Sequence, residues 1–421
     1  MAWASAFVLY GALWALLYLG CDGAYFAGSR GSGEPMKLTA SWINDPAAKQ
    51  IMSMFSDAGA EAFFVGGCVR NSLMNVAVSD LDVSTAVRPE RVVELATSKG
   101  FKAIPTGIEH GTVTVVVEGE PFEITTFRKD VETDGRRAVV AFSDTLEDDA
   151  HRRDFTMNAL YVRADGSIVD PLGGLPDLDA RRVRFIDDPN QRIREDYLRI
   201  LRFFRFHAWY GDDEAGLDPE GLAACAENIE GLSSLSKERV GAELIKLLSA
   251  PEPDRSIAAM NHAGVLNALL PGASTKAFFL LTSFEQSVDP VVRLAALGQF
   301  DVAELLRLSK QRTRQYGALR AFAEGPESIR EIAYREGEKM AWDVAALRAA
   351  FFEQPLEASL SEEIERAAKA EFPVAAKDLM SDFAGPKLGQ MLRDLERAWI
   401  ESEFRVTHED LMKKAGRDGS V

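Results

Sequence analysis

The chain has 421 residues, more than one ordinary core accommodates, so two to four domains are expected. Its hydrophobic fraction of 47% and charged fraction of 27% are those of a soluble globular protein, and three widely spaced cysteines with five scattered histidines rule out a disulfide framework or zinc knuckle and fit a reducing compartment. A net charge of −17 argues against indiscriminate nucleic-acid binding, although residues 181–205, with eight arginines and four acids, form a local basic exception.

The first twenty residues carry no charge and are mostly apolar. Taken literally they are a signal peptide or a membrane anchor, but no basic segment precedes them. A glycine-rich stretch, 28–35, leads to Met36. These features point to a start at Met36, with residues 1–35 an upstream extension and the protein cytoplasmic. A membrane anchor is the competing reading.

Residues 47–59 have helical periodicity, and Phe63-Phe64-Val65 reads as a short buried strand. The turn Gly66-Gly67 follows, and Arg70 to Met74 can begin a helix whose N-terminus faces a phosphate. Twelve residues separate Gly67 from Asp80. In Val78-Ser79-Asp80-Leu81-Asp82-Val83 the acids alternate with apolar residues, so a strand would present both carboxylates on one face. Like charges that close need cations beside them, which points to metal at Asp80 and Asp82. An Asp-x-Asp pair alone is weak, since acidic pairs at strand ends are common. Residues 88–99 read as a helix with Pro89 in its first turn, and Val113–Glu118 and Phe122–Arg128 as strands around the turn Glu118-Gly119-Glu120-Pro121. If the second of these neighbours the Asp80 strand, Glu123 becomes a third carboxylate. Glycine turn, paired acids and Mg²⁺ together suggest nucleotidyl transfer.

Residues 129–150 are polar and read as a long mobile loop turning at Asp134-Gly135. From about residue 187 strand signals vanish, so the second half is expected to be all-helical, with breaks near 283–292 and 323–328. The fold class is therefore α+β: a head with a mainly antiparallel sheet, then an all-α half.

Three further motifs follow: Arg152-Arg153-Asp154-Phe155-Thr156-Met157-Asn158-Ala159-Leu160, then Asp170-Pro171-Leu172-Gly173-Gly174, then Glu195-Asp196-Tyr197-Leu198-Arg199-Ile200-Leu201-Arg202-Phe203-Phe204-Arg205-Phe206. With the glycine turn and the Asp-x-Asp pair, this series resembles the class II tRNA nucleotidyltransferases, the CCA-adding enzymes, strongly over 60–210 and more loosely beyond. Gly385-Pro386-Lys387-Leu388-Gly389 and Ala398-Trp399-Ile400 look like that family's tail. The resemblance implies a catalytic head over 36–186, a base-reading neck over 187–265 and a tRNA-binding body and tail over 266–421. It implies that Gly66, Gly67 and Arg70 contact the incoming triphosphate. Asp80 and Asp82 would hold Mg²⁺, Glu123 would stand at the primer side, and Arg153 and Asp154 would contact the nucleotide. Asp196 and Arg199 would read the base, with Arg202 and Arg205 nearby. The implied partners are tRNA, CTP and ATP.

Spacing supports the base-reading role. Asp196 and Arg199 are three apart on a predicted helix, where their side chains would meet. On an arbitrary helix a surface ion pair is the plainer reading. An acceptor beside a donor fork nevertheless matches cytosine and adenine, whose exocyclic amine and ring nitrogen it would bind. Guanine and uracil reverse that pattern, which costs about 1–3 kcal/mol per unpaired group.

Two positions depart from the family pattern: Asn71 stands where an Asp is usual, and Asn75 near a usual Gly. The nearest alternative is a bacterial poly(A) polymerase or an A-adding enzyme. The polymerases typically carry a basic pair where this chain has Ile104-Pro105-Thr106-Gly107-Ile108, and a basic C-terminal tail that is missing here. A catalytically inactive RNA-binding protein is a further alternative, opposed by the retention of Asp80, Asp82, Arg153, Asp196 and Arg199 together.

Overall fold

Period-two burial builds the sheet on which the site rests. In the computed structural model, which describes residues 25–27, 36–133, 138–212 and 214–418, the first strands are β1 (Tyr25–Ala27) and β2 (Lys37–Thr39), paired antiparallel. Most of residues 1–35, including the apolar start, lies outside the described residues. Among the described residues no helix is long and apolar enough to cross a membrane. The chain divides into two units, Met1–Leu235 and Ser236–Val421.

In the first unit, α1 (Pro46–Asp57) starts at Asp45, whose carboxylate accepts from the Ala47 and Ala48 N–H groups at 2.8 and 3.3 Å. Strand β3 (Ala62–Val65) is buried throughout and runs into α2 (Gly67–Leu73). Next come β4 (Leu81–Thr85), α3 (Pro89–Ser98), β5 (Lys102–Gly107), β6 (Thr112–Val117) and β7 (Glu120–Thr126). Val113, Val115 and Val117 of β6 and Phe122 and Ile124 of β7 point into the core. Glu118 and Gly119 both have positive φ, the two-residue hairpin turn that matches strand twist, with Val117 facing Glu120. Two short strands, β10 (Tyr161–Val162) and β11 (Ile168–Val169), complete a seven-stranded sheet ordered β11-β10-β3-β4-β7-β6-β5, while β8 (Arg128–Thr133) and β9 (Ala138–Phe142) form a separate hairpin. Every pairing in it is antiparallel except β4 with β7. This is the expected α+β head with a mainly antiparallel sheet.

Three details differ from expectation. The helix after the glycine turn begins at Gly67 rather than Arg70, because the turn is completed at Gly66. Strand β5 was not anticipated, being exposed and interrupted by Pro105 and a register shift between Ile104 and Gly107. The described residues of 129–150 are not one long loop. The strands β8 (Arg128–Thr133) and β9 (Ala138–Phe142) pair as a hairpin, and α4 (Leu146–His151) follows, capped by the Thr145 hydroxyl. The Asp134-Gly135 turn lies outside the described residues.

After α5 (Leu175–Asp179) the first unit is helical, with α6 (Pro189–Glu195), α7 (Leu198–Tyr210) and α8 (Pro219–Glu227). Leu198, Leu201 and Phe204 of α7 are buried, and Phe203 joins Phe155 and Phe185 in an aromatic group.

The described part of the second unit is helical from α9 (Lys237–Leu248) to a last helix, His408–Asp418. Breaks fall between Phe284 and Pro290 and between Glu324 and Ile329, where expected. Arg293, 1% exposed, donates to the carbonyls of Leu248 (2.7 Å) and Ala250 (2.5 Å) and to the Glu285 carboxylate (3.0 Å), so a buried cation ties off the end of α9. The helix Pro386–Glu401 begins after Gly385, which takes a positive φ, and ends on a cluster in which Trp399 packs on Tyr334, Phe372 and Phe404.

Candidate active site

The parallel pairing of β4 with β7 brings the acids together. Asp82 and Glu123 are register partners and therefore share one face of the sheet. Strand β4 begins at Leu81, so of the two aspartates only Asp82 is held by the ladder. Asp80 stands exposed at its mouth, where its carboxylate accepts from the Ser79 hydroxyl at 2.9 Å. Burial, then the charges of Glu123 and Asp80, push the Asp82 carboxyl up to about 6, against the pull of Arg153. Among the described residues no three His, Cys, Asp or Glu side chains are gathered into a ready-made metal cluster. The donor set is nonetheless hard carboxylate oxygen whose mutual repulsion Arg153 offsets only in part, which fits a divalent cation.

Gly66 makes the turn between β3 and α2 with φ +71°, a conformation that costs glycine nothing. A Cβ there would stand 3.4 Å from Arg153 Nη1, so the turn and Arg153 are in close approach. Arg153 is fixed from behind. Its Nη2 donates to Asp149 Oδ2 (3.0 Å) and Ser84 Oγ (3.2 Å), and its Nε to Tyr161 Oη (3.1 Å). Asp149 is fully buried and also accepts from Arg152 Nε at 2.7 Å and from the Tyr161 hydroxyl at 2.9 Å. Burial opposes its charge, but Arg153 and Arg152 hold its carboxyl below the usual range. Sequence reading missed Asp149. Its signal was the spacing to Arg152 and Arg153, three and four residues on, hidden inside a stretch taken for loop.

Arg70 is buried and points into the head. Nε and Nη2 donate to Asn71 Oδ1 (3.2 and 2.8 Å), Nη1 to Asn158 Oδ1 (2.5 Å), and Nη2 to the Tyr210 hydroxyl (2.9 Å). The two departures from the family pattern find physical reasons here. Asn71 accepts from Arg70 as an Asp would, and its amide also donates to the Ala77 carbonyl at 2.8 Å, which a carboxylate cannot do. Asn75 has φ +56°, the left-handed region that asparagine tolerates better than most non-glycine residues.

Asp154, also buried, uses both oxygens. Oδ1 accepts from the Phe155 N–H and Asn158 Nδ2, each at 2.9 Å, and Oδ2 accepts from Arg202 Nε at 2.8 Å. Burial opposes ionisation, but Arg202 and these bonds hold the carboxyl well below the ordinary carboxylate range. Arg202 is thus the partner of a buried acid, and its guanidinium, like that of Arg205, packs against the Phe206 ring.

The expectation that Asp196 and Arg199 lie on one helix is not met. Asp196 sits in an extended residue (φ −153°, ψ 105°) between α6 and α7, with its carboxylate accepting from the Leu198 N–H at 3.1 Å. Arg199 is in the first turn of α7, and its Nη1 donates to Glu195 Oε2 (2.5 Å) and the Arg192 carbonyl (2.7 Å). The chain break turns the anticipated Asp196–Arg199 contact into a backbone one, the Arg199 N–H donating to the Asp196 carbonyl at 2.9 Å.

Residues 62–184 match the family model described as the poly A polymerase head domain, and 216–276 the one described as a probable RNA and SrmB-binding site of polymerase A. Mouse mitochondrial CCA tRNA nucleotidyltransferase 1 is 32% identical over 383 residues, covering 86% of this chain and 88% of the relative. The CCA-adding enzyme of Streptococcus gordonii is 33% identical, covering 85% of this chain and 93% of the relative. Among solved structures, the CCA-adding enzyme of Bacillus stearothermophilus in complex with CTP superposes with a TM-score of 0.71 at 30% identity, covering 89% of this chain and 99% of that one. With this extent of similarity along nearly its whole length, the chain belongs to the tRNA nucleotidyltransferase family of CCA-adding enzymes.

Proposed function

We propose that this protein adds C, C and then A to the 3′ end of tRNA, without a nucleic-acid template, using CTP and ATP and releasing pyrophosphate. The observation that carries the reading is the parallel β4–β7 register, which sets Asp82 beside Glu123 on one face with Arg153 near enough to counter their charge. Asp80 and Asp82 would hold two Mg²⁺ ions, which would supply a lowered pKa at the primer 3′-hydroxyl and an offset to charge on the leaving pyrophosphate. Glu123 stands on the primer side. Gly66 and Gly67 let backbone approach the triphosphate, and Arg70 and Arg153 supply cations behind it. Asp154 would take a ribose hydroxyl by exchanging one of the hydrogen bonds that its carboxylate accepts from Phe155, Asn158 and Arg202. Asp196 and Arg199 read the base from the break between α6 and α7 and the first turn that follows it, and Arg205 lies one helical turn beyond Arg202. The head spans 36–186, the neck 187–265 and the tRNA-binding body and tail 266–421. The cytoplasm is the compartment that suits three cysteines and the implied tRNA substrate.

The test of base reading is kcat/KM for each of the four nucleotides on a tRNA ending at the discriminator base. Arg199→Ala removes the donor matched to N3 of cytosine and N1 of adenine. It should lower the preference for CTP and ATP over UTP and GTP about tenfold or more. Asp196→Asn, which adds a donor, should act in the same direction. An unchanged preference in Arg199→Ala would place the template elsewhere.

A further inference from the structure

Tyr210, the last residue of α7, belongs to none of the motifs. Its hydroxyl accepts from Arg70 Nη2 at 2.9 Å, and the Arg70 guanidinium lies over its ring at 4.0 Å and over the Phe206 ring at 5.1 Å. Arg70 in turn bonds Asn158, Asn158 bonds Asp154, and Asp154 bonds Arg202, one helical turn before Phe206 on α7. The side chains therefore close a circuit: out from α7 at Arg202, through the Asp154–Asn158 segment, into α2 at Arg70, and back to α7 at Tyr210. Each link is a directional hydrogen bond among largely buried groups, where geometry is held most tightly. The four bonds from Arg70 to Asn71, Asn158 and Tyr210 occupy all but one of its N–H groups. The guanidinium cannot turn toward a ligand without breaking them. It keeps its place, and with it the position of the glycine turn three residues before it.

We propose that Tyr210 is a positioning residue for nucleotidyl transfer: by clamping Arg70 it fixes the glycine turn relative to α7, which carries Arg199. The inference rests on the reading of the glycine turn as the triphosphate site and of α7 as the base-reading helix. A small displacement between those two places the α-phosphorus out of line for attack, which lowers kcat more than it weakens nucleotide binding. Both nucleotides use the same turn, so CTP and ATP are affected alike.

The test uses the full chain and tRNA lacking its 3′ end. Tyr210→Phe keeps the ring over Arg70 and removes the hydroxyl. It should lower kcat for CTP and for ATP by about fivefold to tenfold, with KM changed less than about twofold and the protein still folded, its melting temperature lowered by only a few degrees. Tyr210→Leu removes the ring as well and should be slower still. The decisive comparison is Tyr210→Phe placed in an Arg70→Lys background. There it should cost less than about twofold, because the group it acts through is already gone. Native kcat in a folded Tyr210→Phe protein overturns the proposal, and so does a full, additive loss in the Arg70→Lys background. If the native protein adds no nucleotide to the tRNA, the functional reading itself fails, an outcome distinct from either. Should Tyr210→Leu not fold, the Phe variant and the double variant still decide.

Discussion

Asp82→Ala should lose nucleotide addition by about a thousandfold or more while folding and tRNA binding stay near normal. Asp82 is the one aspartate of the pair fixed by the β4 ladder, with Glu123 as its register partner and Asp80 beside it. Several kcal/mol of transition-state stabilisation are expected to pass through the cation it is proposed to hold, and each 1.4 kcal/mol is about tenfold in rate. The folded state has little to lose. Asp82 is half-buried among like charges that already push its carboxyl up to about 6, so removing it relieves repulsion. The measurement is single-turnover incorporation with saturating Mg²⁺, alongside thermal melting and a tRNA binding isotherm. Asp80→Ala, at an exposed position, should show the same separation of activity from stability. Near-normal turnover in either variant would remove the metal assignment.

Asp149→Ala should do the opposite and unfold the head as well as silence it. Asp149 is fully buried and accepts from Arg152, Arg153 and Tyr161. Removing the carboxylate leaves two mostly buried guanidinium groups without their shared counter-charge, a loss of about 3–5 kcal/mol. That is a large share of the stability of an ordinary domain. Arg153 would also lose its orientation beside Gly66, so activity should fall even in the protein that remains folded. Because Asp149 is held below the usual carboxylate range in the folded state, its contribution is complete at neutral pH and is lost on acidification through the folded pKa. Urea denaturation should therefore show a gap between native and variant that is little changed from about pH 7 to about pH 4 and narrows only below that, as the pH falls through the folded pKa. A gap under about 1 kcal/mol at pH 7 would contradict this account.

Features set by local backbone chemistry were legible in the sequence. The Gly66 turn needs a positive φ, the Pro89 start of α3 needs a fixed one, and the β6–β7 hairpin is written in alternating valines around Glu118-Gly119. The role of Glu123 was legible only as a condition, because strand partners are set by tertiary packing. The parallel β4–β7 pairing fulfils the condition. Residues 129–150 were misread because the first hairpin strand, Arg128–Thr133, is mostly polar and the second, Ala138–Phe142, is a short apolar run, so neither shows the alternation that marks a half-buried strand, and a six-residue helix is too short to show a period. The Asp196–Arg199 geometry failed for a related reason. Neither proline nor glycine marks the interruption at Asp196 and Tyr197, so a helical period runs across two separate helices. Within it, Glu195 rather than Asp196 stands at the i,i+4 spacing that Arg199 uses. The Arg70–Tyr210 clamp was invisible because it joins positions 140 residues apart.

The central claim is tested most directly by incubating the purified protein with tRNA lacking its 3′ end, supplying each nucleotide singly and then CTP with ATP, and sequencing the products. The account predicts two C residues with CTP alone, a single terminal A once ATP is added, and nothing with UTP or GTP. A run of A residues from ATP alone on the same tRNA, or addition of A only to tRNA already ending in CC, would contradict it.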